Sequence, residues 1–199
     1  IGPEIAIKAL LQKNIHEICK PVLVGDAKVF EQINILLNLN AKINAIDKVA
    51  DAKFELGTID VLDLKNVDID KLVFGEISAM CGEAAFQSVK KVIELALAKE
   101  VDATVTGPIN KKSINEDGHH FAGHTEIYAH FTNTKKYAML LVEDKMKVIH
   151  VSTHVSLRQA CDLVKKERIL EVTELLRNGM ISLGETNLKI GIAGLNPHA

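Results

Sequence analysis

Three short polar segments of this 199-residue chain carry residue types that bind anions, metals and reacting hydroxyls. Thr106-Gly107-Pro108-Ile109-Asn110-Lys111-Lys112 follows the apolar run 101–105, Ser152-Thr153-His154 follows 146–151, and Gly194-Leu195-Asn196-Pro197-His198 follows 188–193. A fourth, Gly123-His124-Thr125-Glu126, precedes a helical pattern. Lys111 and Lys112 after a Gly-Pro turn can meet a phosphate as point charges, with backbone N–H groups beside them. His154 and His198 offer two imidazoles, half of a transition-metal site, since a catalytic site takes three protein ligands and keeps one position open. Each segment alone has a plainer explanation: a turn at 106–108, solvated lysines, a structural histidine. What joins them is position, because open α/β sheets collect ligands outside the carboxyl ends of their strands.

Other chemistry is excluded or set aside. No GxGxxG follows a strand-like run, so a Rossmann dinucleotide site is not written here, and neither a GxxxxGK[ST] phosphate loop nor a GxSxG nucleophile elbow occurs. His119 and His120 follow Asp117-Gly118 in an expected surface turn, His130 falls in a helix and His150 in a strand, so all four are read as structural or solvent-facing. Cys19, Cys81 and Cys161 have no CxxC or Cys-His spacing and are expected to be small buried hydrophobes in a reducing cytoplasm.

The elements that must position these segments alternate along the chain. Helices are expected from Pro3, over 27–39, over 77–100 with Ser78 as N-cap, over 156–164, and over 167–178 with Gly179 as the stop. Strands are expected at 21–24, 43–46, 58–64, 101–105 and 188–193, with 137–142 and 146–151 at hairpin spacing. The pattern is α/β with a mixed, mostly parallel sheet. A domain change is placed at the strand entering the His-rich region, giving 1–104 and 105–199, both incomplete. The composition, 47% hydrophobic, 25% charged and net charge −2, is that of a globular protein without the basic patch of a nucleic-acid binder. No run approaches the ~18 apolar residues of a membrane helix.

Read together, Ile1-Gly2-Pro3-Glu4, VTGPINK (Val105 to Lys111), FAGHTE (Phe121 to Glu126), STHVSLR (Ser152 to Arg158) and GLNPHA (Gly194 to Ala199) resemble the 4-hydroxythreonine-4-phosphate dehydrogenase (PdxA) family over essentially the whole chain. The resemblance implies a two-domain α/β/α fold like that of isocitrate and isopropylmalate dehydrogenases, with NAD or NADP bound outside the Rossmann pattern. It implies oxidation of 4-(phosphooxy)-L-threonine to a 3-keto acid that decarboxylates to 3-amino-2-oxopropyl phosphate, in pyridoxal 5'-phosphate biosynthesis. By the same resemblance His124 and Thr125 contact substrate, and His154 and His198 bind a divalent metal (zinc, cobalt or magnesium). The resemblance further implies that the metal lies at the subunit interface of a homodimer, in the cytoplasm. Lys111 is assigned a catalytic cationic role beside the substrate's phosphate or carboxylate; a lysine capping a strand-end loop is the plainer alternative. The third metal histidine belongs to a later segment, so a stretch before Ile1 and about a hundred residues after Ala199 are expected beyond this sequence.

Two other activities stay open. A sister dehydrogenase of four-carbon sugar-acid phosphates (erythronate or threonate 4-phosphate) would keep most of these motifs. A phosphate acetyltransferase-like acyl transfer would need no paired metal histidines. A binding-only remnant is a third possibility, and metal content would test it.

Overall fold

Pro3 opens the first helix. In the computed structural model, which describes residues 1–144 and 146–196, α1 runs Gly2–Leu10. Its first turn holds the proline, whose missing N–H is harmless there, and Glu4, which pairs with Lys8 near the helix's positive end. A short α2 (Lys13–Ile18) leads to β1 (Leu23–Gly25). Asp26 then caps α3 (Ala27–Leu36) by accepting the Lys28 N–H at 3.0 Å. β2 (Lys42–Ile46) and β3 (Thr58–Asp63) complete a parallel sheet ordered β1-β3-β2, in which Leu23 and Ala45 both lie opposite Val61. Central β3 is buried on both faces, with Ile59, Val61 and Leu62 inside together with the polar Thr58 and Asp60.

Ile59 and Val61 pack with Ile7, Leu10, Phe30 and Ile33 from α1 and α3. Leu62, pointing the other way along the strand, packs with Ile46 and with Leu95 of α4 (Ala79–Leu97). Asp60 is buried at 2% exposure and accepts from Asn44 Nδ2 (2.6 Å) and from the backbone N–H groups of Lys53 (3.0 Å) and Phe54 (2.9 Å). It ties the 52–57 connection to the sheet.

The expected long helix is present as α4, and Ser78 does cap it, accepting the Cys81 N–H at 3.4 Å while its own N–H reaches Ser113 Oγ. Ser78→Ala is expected to lower stability by about 1 kcal/mol in urea unfolding; an unchanged midpoint would remove the cap from the account. Beyond α4 come α5 (Lys111–Glu116) and α6 (His124–Phe131).

By internal contacts the chain divides into two compact units, Ile1–Asn133 and the residues from Thr134 onward. The second contains the expected hairpin, β4 (Leu140–Val142) antiparallel to β5 (Lys147–Ile149), as a two-stranded sheet of its own. α7 (Leu157–Leu163) begins with a reciprocal Ser156–Gln159 capping box. In α8 (Lys166–Ser182), Arg168 donates to the Val151 and Tyr137 carbonyls and pairs with Glu171, fastening the helix to the hairpin's flanks.

Four expectations are corrected. Gly179 lies inside α8; the helix stops at Gly184 (φ +89°), where Gly184 N–H donates to Ile181 O and Glu185 N–H to Met180 O, a Schellman closure. Residues 101–105 and 188–193 pair in no ladder among the described residues, and Val105 is 94% exposed: an apolar run becomes a strand only beside a partner. Lys111 and Lys112, read as the end of a strand-end loop, instead open a helix, Lys111–Glu116. Cys19 and Cys161 are exposed and Cys81 half-buried, all free thiols rather than core residues.

Candidate functional site

α4 is the spine of the site. Phe86, Val89 and Ile93 on one of its faces bury against Ile127 of α6, with Ile109, Phe121, Tyr128 and Phe131 around them. α5 approaches closer still. A Cβ on Gly82 would lie 2.0 Å from the Ser113 carbonyl oxygen, so only glycine allows this packing. Asn110 starts α5 by accepting the Ser113 N–H at 3.0 Å, and Ser113 and Ile114 are buried beneath it. Lys111 is therefore held at the first turn of a helix that α4 and Asn110 together define.

α6 begins at His124, with Gly123 before it in extended backbone. The Lys111 side chain reaches Gly123: its Cε and Nζ lie 3.6 and 3.8 Å from where a Cβ would stand, with a Glu126 carboxylate oxygen 3.7 Å from the same point. His124 is half-buried, its Nε2 is shielded from solvent and no protein group hydrogen-bonds it. Burial, and secondarily the Lys111 ammonium, hold its pKa below the ordinary 6.5. The imidazole is thus neutral near pH 7 and able to take a proton or hydrogen bond from a ligand. Thr125, half-buried, follows it in the first turn. The structure brings Lys111, His124 and Thr125 onto the paired starts of α5 and α6.

The depressed pKa gives a signed expectation. Between the folded value and 6.5 the unfolded chain binds more protons at this site, so His124 weakens the fold as pH falls below about 6.5 and not above it. Lys111→Met removes the smaller cause, so the His124 midpoint, read by NMR of its ring, is expected to rise but to stay below 6.5. A fall would refute the assignment.

His154 stands in the second unit, exposed, between β5 and α7, in left-handed backbone (φ +58°). His198 lies outside the described residues.

One cluster escaped sequence reasoning. His119 Nε2 is 2.7 Å from Glu83 Oε2 of α4 and 3.3 Å from Asp117 Oδ2, and its ring stacks on Phe86 at 3.6 Å and 17°. Glu83 also accepts from Gln87 Nε2 at 2.6 Å. Asp117 is pushed up, chiefly by its hydrogen bond to Glu83. Burial also pushes Glu83 up, but hydrogen bonds from Asp117, Gln87 and His119 bring it below its ordinary value. The two carboxyls thus shift in opposite directions, Asp117 favouring its protonated form and Glu83 its ionised form. One ligand atom from each of the three residues lies within 4.8 Å of the others, a donor set of the kind that takes a divalent cation. Here the three groups satisfy one another. Glu83 and His119 are 36 positions apart, and nothing in their local spacing announces the contact.

Comparison with known proteins identifies the family. A protein from Clostridium botulinum (strain Hall), provisionally named D-threonate 4-phosphate dehydrogenase, is 44% identical over all 199 residues, and a Fusobacterium nucleatum protein of the same provisional name is 40% identical. This chain spans 60% of the length of each. Crystal structures of 4-hydroxythreonine-4-phosphate dehydrogenases from Burkholderia phymatum and Klebsiella pneumoniae superpose with TM-scores of 0.85 and 0.87 at 35% and 38% identity. Each covers 98% of this chain, which in turn spans 59% of theirs. The family described as pyridoxal phosphate biosynthetic protein PdxA matches residues 17–199, taking in Lys111, the GHTE segment and the His154 loop, and the chain belongs to that family.

Proposed function

We propose that the protein is a metal-dependent, NAD(P)-linked dehydrogenase of four-carbon hydroxy-acid 4-phosphates, and that 4-(phosphooxy)-L-threonine is its substrate in pyridoxal 5'-phosphate biosynthesis. The observation that carries the proposal is the pairing of the Lys111 ammonium with a neutral, partnerless His124 at the paired starts of α5 and α6, in a chain of this family. Lys111 supplies the charge that holds a phosphate or carboxylate. His124 Nε2 is placed to hydrogen-bond the substrate, and the Thr125 hydroxyl adds a second contact. Oxidation removes the C3 hydrogen with its electron pair and the hydroxyl proton. The resulting 3-keto acid then breaks its C1–C2 bond, releasing carbon dioxide, and C2 takes up a proton to give 3-amino-2-oxopropyl phosphate.

When bound, the nicotinamide supplies the electron acceptor and a divalent ion supplies Lewis-acid polarisation of the substrate oxygens. The donor chemistry fits a transition ion: His154 is an exposed imidazole, and His198 is the second ligand we assign. The reading includes zinc, cobalt or magnesium at the interface of a homodimer. A reducing cytoplasm is consistent with three free thiols, and no helix among the described residues is long and apolar enough to cross a membrane.

The more similar named relatives support a second substrate, D-threonate 4-phosphate, with a hydroxyl in place of the C2 amine. The test is NADH absorbance with both acids, with and without chelator. Turnover of the threonine phosphate, lost on chelation and lowered about 100-fold in kcat/KM by His124→Ala, is the expected result. Turnover of D-threonate 4-phosphate alone selects the second substrate. Turnover of neither, or activity indifferent to chelation, removes the proposal.

A further inference from the structure

The connection from α5 to α6 carries more restraint than a surface turn needs. It leaves α5 at Asp117 and must deliver His124 beside Lys111, seven residues later. His119, near its middle, is fixed from four directions. Its backbone N–H donates to the Ile114 carbonyl, its own carbonyl accepts from Phe121, its ring lies flat on Phe86, and its Nε2 meets the Glu83 carboxylate. Phe121 also stacks on Phe86, 5.8 Å between centroids, so two residues of the connection share one anchor on α4. Two positions further on, Gly123 passes under the Lys111 side chain and α6 begins. The Asp117 carboxyl, at the start of the connection, meets the same Glu83 carboxylate, so the polar ties described from this connection to α4 converge on one side chain.

We propose that His119 is a positioning residue: clamped to Glu83 and stacked on Phe86, it sets the approach of Lys111 to His124. The inference rests on reading Lys111 and His124 as substrate contacts, but its subject is their geometry, which can be measured without turnover. The stack supplies flat apolar contact that a phenylalanine could reproduce. The hydrogen bond supplies direction, fixing which way the connection leaves the α4 surface, and a phenylalanine cannot reproduce that. Glu83 is the fixed end of the clamp because α4 is anchored independently to the parallel sheet, Leu95 packing with Ile46 and Leu62.

The experiment is NMR titration of the His124 ring in the wild-type protein and in His119→Phe, Glu83→Ala and Glu83→Gln, with thermal melts as the folding control. In His119→Phe and Glu83→Ala the stack survives and the clamp is lost. The His124 midpoint is expected to rise toward 6.5 as burial and the Lys111 approach relax. Glu83→Gln keeps an acceptor oxygen and is expected to restore the wild-type midpoint at least in part. If His119→Phe does not fold, Glu83→Ala, which leaves the imidazole in place, decides alone. A His124 midpoint equal to wild type in every folded variant overturns the proposal. Turnover is assayed separately. A wild-type protein that oxidises neither acid phosphate defeats the proposed function without moving the titration. An unmoved titration in an active enzyme defeats the positioning role alone.

Discussion

Asp60→Ala is expected to be the most damaging single substitution in the first unit, at about 4 kcal/mol. The carboxylate is 2% exposed, and its two oxygens accept from three donors, one side-chain amide and two backbone N–H groups. Alanine would leave three donors short of partners in a region water enters poorly. Each unsatisfied buried group costs about 1–3 kcal/mol, relieved in part by whatever relaxation admits solvent. The released 52–57 connection includes Phe54 in left-handed backbone (φ +55°), a conformation that the two Asp60 bonds hold in place. Asp60→Asn should cost less, since one oxygen remains, although its amide then faces donors. Urea unfolding followed by circular dichroism reads both. A loss below about 1 kcal/mol for the alanine variant would mean that the three bonds are not formed in solution.

Gly82→Ala is expected to cost about 3 kcal/mol or more, toward the upper end of overpacking effects. The added methyl would sit 2.0 Å from the Ser113 carbonyl oxygen, 2.3 Å from its carbon and 2.8 Å from the Ile114 nitrogen. All three are backbone atoms, so no rotamer change relieves the collision, and α5 must move off α4 as a body. Alanine's better helix propensity returns only about 1 kcal/mol. The loss therefore has a positional signature. As α5 shifts, Lys111 shifts with it, and the His124 ring should lose the contribution of the ammonium to its depressed pKa. A melting temperature and a His124 midpoint both equal to wild type would show that the helices do not approach this closely.

These two sites mark what the sequence could and could not disclose. Ser78 before an amphipathic run, Pro3 in a first turn and two apolar runs at hairpin spacing are local signals, and the structure bears out all three. The parallel sheet followed from alternation of strand and helix patterns. α5 did not, because Lys111–Glu116 carries a single large apolar residue, Ile114, and owes its helix to Asn110 and to the space Gly82 leaves. Gly179 and Gly184 are equally good stops on paper, and only the backbone bonds at 184 and 185 choose between them. The runs 101–105 and 188–193 have strand composition, but composition cannot supply a neighbour. In the candidate site, the motif segments were visible as residue types after strand-like runs. The Glu83–His119 clamp was not, since it joins a helix face to a turn far along the chain, a relation that exists only after folding.

Placing β3 between β1 and β2 also orders the way this unit comes apart. Amides of β3 bond on one side to β1 and on the other to β2, while each outer strand is held from one side only. Fraying can strip β1, only three residues long and paired with Val61 to Asp63, without touching the Ile59–Ile43 pair, but β3 as a whole can release its protons to solvent only when both neighbours and the helices over them have gone. Slow hydrogen exchange should therefore concentrate in Thr58–Asp63, marking that strand as the last part of the unit to open.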